Sequence, residues 1–184
     1  SLPYESNAHQ EFMALTTEAT FYLQPRLLEQ KLAALKPGRS GVIDLYFIGM
    51  AGYSSQDVFM KEVLSVTKLF NEKFDAAGRS VMLINNTKTA AEHPIASSTS
   101  LNLALKRIAN VMDRDEDILF LFMTSHSSRS QKFSLDFWPM QFNDLDPKTL
   151  KKMLDDSGIR RRVIVVSGCY SGGFINTLKD DHSL

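Results

Sequence analysis

Four short runs of buried-type residues alternate with stretches of helical period along most of the chain. The runs cover residues 42–49, 80–85, 117–124 and 162–168, and each is rich in branched or aromatic residues. Between the first two, residues 56–76 carry Val58, Phe59, Val63, Leu64, Val66, Leu69, Phe70 and Phe74 at the spacing of an amphipathic helix. Residues 101–112 predict a second such helix, and Pro147 near a first turn opens a short one over 147–156. The connections are too long for hairpins, and near-continuous apolar strands call for cover on both faces. The pattern therefore predicts an α/β protein, a three-layer α/β/α sandwich with a mostly parallel central sheet.

Before the first strand the pattern differs. Residues 5–35 read as helical, with Phe12, Leu15, Phe21, Leu27, Leu28 and Leu32 at mixed three and four spacings and an interruption near Pro25. The stretch Lys36-Pro37-Gly38-Arg39-Ser40-Gly41 breaks the chain. The expected division is an N-terminal helical appendage, 1–36, and a main domain, 37–184.

The chain has 184 residues, 43% hydrophobic and 23% charged, as expected of one domain with a proper core. Twenty-one basic residues balance 21 acidic ones, which argues against a nucleic-acid partner. No apolar run reaches the ~18 residues of a membrane span, so no transmembrane segment is expected, and Ser1-Leu2-Pro3-Tyr4-Glu5 does not read as a signal peptide. The single cysteine, Cys169, excludes an internal disulfide and any multi-cysteine metal cage. It is either a small hydrophobe or a nucleophile.

In parallel sheets chemistry collects at the carboxyl ends of the strands. His126 directly follows the third strand-like run and Cys169 the fourth. Adjacent strands lie about 4.8 Å apart, so side chains just beyond neighbouring ends can meet. An imidazole so placed can take the thiol proton and later protonate a leaving group. The backbone N–H of Cys169 and those of the loop from Ser127 onward are candidate oxyanion donors, and Gly168 permits close backbone approach. The bland alternative is a packing cysteine and a structural histidine. Other uses of the thiol lack their residues. A thioredoxin-type pair needs cysteine where Gly172 stands. A hydrolase elbow needs glycine where Ser167 and Ser171 stand.

The order strand, His126, small residues, helix, strand, Cys169 resembles the caspase–haemoglobinase fold of cysteine peptidases, whose caspases place the histidine roughly 50 residues before the cysteine. Cys169-Tyr170-Ser171-Gly172-Gly173, with Asp44-Leu45-Tyr46-Phe47, Ser55-Gln56-Asp57-Val58-Phe59 and Asp113-Arg114-Asp115-Glu116-Asp117, is similar to the legumain (asparaginyl endopeptidase) family, especially its bacterial members. The resemblance covers residues 37–184. It implies a caspase-like peptidase domain acting on peptide or protein substrates, with Cys169 as nucleophile and His126 as general base and acid, and no cofactor or metal. Hydrolysis and transpeptidation share the same acyl-thioester. The family's domains continue past this length, so the chain is expected to be truncated at its C-terminal end. Bacterial relatives point to the cell envelope.

Ser127 stands where the family has glycine after its histidine. Tyr170 stands where legumain has an acidic residue, and no arginine occurs between Gly49 and Phe70, so an asparagine preference is not implied. Tyr170, Ser171 and Trp138 are candidates for the substrate groove. Phe133, Phe137 and Phe142 either join Trp138 there or cover the sheet edge. His9, His93 and His182 suggest no metal site, the acidic run reads as a solvated turn, and Arg160-Arg161-Arg162 as an exposed start to the last strand. The alternative function is a catalytically silent caspase-like binding or scaffold module. A doubly wound nucleotide domain fits poorly, because Gly49-Met50-Ala51-Gly52 lacks a third glycine.

Overall fold

The computed structural model describes residues 3–168, with side chains from residue 17 onward. Helix α1 (Pro3–Ala33) precedes strand β1 (Leu45–Ala51), α2 (Asp57–Lys73), β2 (Ser80–Ile84), α3 (Ser98–Val111) and β3 (Ile118–Thr124). A two-residue hairpin follows, β4 (Asp136–Phe137) with β5 (Met140–Gln141), then α4 (Pro147–Ser157) and β6 (Arg162–Ser167). The four long strands form one sheet in the order β2-β1-β3-β6, and every pairing in it is parallel. This is the mixed α/β architecture that the alternation of runs predicts, and it is consistent with a caspase-like fold.

Side-chain alternation along β1 divides the core into two layers. Tyr46, Ile48 and Met50 pack with Leu101, Leu105 and Ile108 of α3 and Leu150 and Leu154 of α4, together with Leu32 and Leu35 at the end of the first helix. Phe47 and Ala51 face the other way, onto Met60, Val63 and Phe70 of α2. Phe47 stacks on Phe70 with centroids 4.6 Å apart. Gly49 lets α2 close on the sheet, because a Cβ there would lie 2.8 Å from Val63. Helix α3 starts on a capping box of Ser97 and Ser100, and α4 on Asp146, whose carboxylate accepts the Thr149 N–H, with Pro147 in the first turn.

Several elements differ from the sequence pattern. The first strand begins at Leu45, not at 42: Val42 and Ile43 are exposed in a turn with Gly41 at φ 74°. The cause lies in Asp44, which is buried. Its carboxylate accepts the Arg39 N–H at 2.7 Å and the Arg39 guanidinium, and Arg79 lies 3.7 Å away. That ring of bonds folds residues 39–44 back on themselves and delays the strand. The first helix runs through Pro25 without a break, since proline removes only one backbone donor and Leu27 and Leu32 are anchored in the core beyond it. Gln24 fastens the same stretch by donating to the Ala90 carbonyl and accepting from the Ile95 N–H.

The acidic run is not wholly solvated. Asp117 is buried and accepts the N–H groups of Asp44 and Asp113. Arg162 is likewise buried rather than exposed, donating to Asp155 and to the Ile159 carbonyl. Among the described residues no helix is long and apolar enough to cross a membrane.

Candidate active site

Strands β3 and β6 pair in parallel with Thr124 opposite Ser167, and the Ser125 N–H donates to the Ser167 carbonyl at 3.3 Å. The chain therefore leaves both strands at one edge of the sheet, into Ser125-His126-Ser127 on one side and Gly168 on the other. Cys169, Tyr170 and Ser171 lie outside the described residues. The two exits touch. A Cβ on Gly168 would overlap Ser127 Oγ and lie 3.0 Å from the Ser125 carbonyl, so only glycine admits this approach.

His126 is exposed and firmly held. Its Nε2 lies 2.8 Å from Gln56 Oε1. With the amide oxygen as acceptor, Nε2 carries the proton and Nδ1 of the neutral ring is the free acceptor. Tyr53 and Phe59 meet the imidazole edge-on, at centroid distances of 4.6 and 5.0 Å. The His126 carbonyl accepts the Ser134 N–H, which fixes the backbone as well. A ring locked at one nitrogen, on its faces and at its backbone is pre-oriented for proton transfer.

Each clamp has its own support. Gln56 is the N-cap residue of α2 yet makes no side-chain cap bond, because its amide is turned to His126. The next residue, Asp57, accepts from Lys88 Nζ and from Asn86 Nδ2 at 2.9 Å. Lys88, then Asn86, hold the Asp57 carboxyl below the ordinary carboxylate range. Asn85 is buried and ties the ends of β1 and β2 together, donating to the Gly52 and Ala96 carbonyls and accepting the Ala96 N–H. Tyr53 pairs with Asp136 of the hairpin, whose N–H donates to the Gly52 carbonyl.

The aromatic loop divides in two. Phe133 and Phe137 are buried, Phe133 against Gly52 just beyond β1, and Phe142 packs against the core. Trp138, at the hairpin turn, is 66% exposed. Ser127 is half-buried beside Phe133. His93 is half-buried in the loop after β2, where burial pushes its imidazole below the usual histidine value. Among the described residues no group of three or more His, Cys, Asp or Glu could hold a metal ion.

Sequence reasoning missed Gln56, Tyr53 and Phe59. Gln56 and Phe59 fall within the Ser55–Phe59 stretch quoted for the family resemblance, and Gln56 sits where a helix N-cap would favour Ser, Thr, Asp or Asn.

A parallel α/β sheet with a clamped histidine at its carboxyl edge is an arrangement suited to acyl-transfer chemistry. The model of the Peptidase C13 family, the legumain family of cysteine peptidases, matches residues 102–184. The match runs from within α3 through β3, His126 and β6 to the end of the chain. Over that stretch the chain is similar to the legumain family, a likeness that supports a cysteine-type hydrolase. No curated protein matches the chain.

Proposed function

We propose that the protein is a cysteine endopeptidase in which Cys169 and His126 act as a dyad. The observation that carries this reading is the clamped imidazole of His126 at the sheet edge where Gly168 leads into Cys169, inside the stretch matched by the peptidase family. His126 takes the thiol proton, and the sulfur attacks the scissile carbonyl carbon, forming a C–S bond and an oxyanion. Backbone N–H groups of Ser127 and Cys169 are the proposed donors to that oxyanion, with Gly168 leaving room for it. Collapse breaks the C–N bond, and the imidazolium gives its proton to the departing amine. Water, deprotonated by His126, then hydrolyses the thioester; an amine in its place gives transpeptidation. Trp138, Tyr170 and Ser171 are proposed to line the peptide groove, and residues 1–36 to be an appendage docked on the peptidase domain through Gln24, Leu27, Leu32 and Leu35.

The test is mass spectrometry of the protein quenched during turnover of a peptide library. An acyl group on Cys169 is expected. Peptide cleavage without any adduct on Cys169 would contradict the mechanism, and neither cleavage nor adduct would leave a silent module.

Gln56→Ala should expose how far the clamp matters. Freed of its partner, the imidazole samples the other tautomer and other rotamers. The expected loss is between about 10-fold and 10³-fold in kcat with KM little changed, by analogy with the larger losses when a triad orienter fails to fix the tautomer. Steady-state kinetics on any cleaved peptide checks it.

A further inference from the structure

Ser127 Oγ is shielded from solvent and has no hydrogen-bond partner among the described residues. A hydroxyl out of water with neither donor nor acceptor satisfied is unfavourable, and natural structures seldom leave one. It is the atom that a Cβ on Gly168 would meet first, and Gly168 is joined by one peptide bond to Cys169. Its own residue follows His126 directly. The neighbouring hydroxyl, Ser125 Oγ, is by contrast fully engaged, donating to the Ser134 carbonyl at 2.7 Å. One hydroxyl of the pair anchors the loop; the other stands unpaired beside Gly168, the residue before the thiol.

We propose that the Ser127 hydroxyl is a positioning donor for the Cys169 thiolate, gaining its hydrogen-bond partner only once the sulfur carries negative charge. This rests on the reading of Cys169 as nucleophile and deepens it. A hydrogen bond to the charged form favours that form, and one to an ion is stronger than one between neutral groups. No bond is made or broken by Ser127: the proton on Oγ stays there, and His126 remains the base. The departure from glycine at this position thus adds a donor while keeping the backbone N–H of residue 127 in place.

The test uses two properties that such a role moves in opposite directions. In Ser127→Ala the unpaired hydroxyl disappears, so the melting temperature is expected to stay level or rise. Alkylation of Cys169 by iodoacetamide, compared at a pH on the rising limb of the natural protein's profile where the thiolate is the minor form, is expected to slow by about tenfold, the worth of one charged hydrogen bond. Ser127→Thr keeps the hydroxyl and should alkylate within about threefold of the natural protein. If Ser127→Ala alkylates as fast as the natural protein, or if Ser127→Ala and Ser127→Thr slow equally, the proposal is overturned. A natural protein whose thiol reacts no faster than free cysteine, and is indifferent to His126→Ala, overturns the reading of Cys169 itself and this proposal with it. A fast, His126-dependent thiol that ignores Ser127→Ala overturns the proposal alone.

Discussion

Cys169→Ala is expected to abolish peptide cleavage, and His126→Ala to lower kcat/KM by at least about 10³-fold, because nucleophile and base work as a unit. Without the thiol no acyl-enzyme forms. Without the imidazole the thiol must ionise unaided and the leaving amine departs unprotonated. The loss on His126→Ala should not come from unfolding. The ring is exposed, and its neighbours Tyr53 and Phe59 also pack on each other, with centroids 6.1 Å apart. The double variant should be no worse than Cys169→Ala alone. Kinetics of the three variants on one peptide, with circular dichroism to show that each is folded, checks the expectation.

The second large effect falls at the opposite edge of the sheet. The side chain of Asp44 is wholly buried, with Arg79 nearly so and Arg39 half-exposed beside it. Burial alone would push the Asp44 carboxyl up. The hydrogen bonds from Arg39 and the charge of Arg79 outweigh it and hold the carboxyl below its usual value. Asp44→Asn leaves Arg79 facing an uncharged amide in the interior, and is expected to cost about 2–4 kcal/mol at neutral pH, the lower end allowing for solvent screening of Arg39. A carboxyl lowered on folding stabilises the native state above its unfolded value of about 3.9. That stability is lost as pH falls through the lower folded value. The gap between Asp44→Asn and the natural protein should thus be widest near neutrality and close in acid. Urea midpoints at several pH values measure both. A gap that widened on acidification would show that the carboxylate is not favoured by its surroundings.

How much of this could be read from the residues depended on the range of the interaction. Strands β1 and β3 declare themselves because both faces of the sheet are covered there, and continuous apolar runs follow from that; β6 carries such a run although Val165 is exposed. Parallel order and the shared edge of His126 and Gly168 come from the same logic, since helices must cross between strands. Turns set by a side chain escape it. Val42 and Ile43 look like strand, and only the capture of Asp44 by Arg39 and Arg79 makes them a turn. Arg162 reads as surface until Asp155 is seen to meet it. Gln56 is the clearest case, because its partner His126 is 70 residues away and no local period reports such a pair. The aromatic loop left two readings open, and burial divides it: Phe133 and Phe137 are buried while Trp138 stays in solvent.

The central claim, that Cys169 is a nucleophile activated by His126, is tested most directly by the pH–rate profile of Cys169 alkylation with iodoacetamide. There is one cysteine in the chain, so every alkylation event reports on it. An activated thiol reacts well below the pH range of free cysteine, whose thiol titrates near 8.5. The expected profile is displaced to lower pH in the natural protein and returns toward that of free cysteine in His126→Ala. A profile that follows free cysteine and does not change on His126→Ala would contradict the claim.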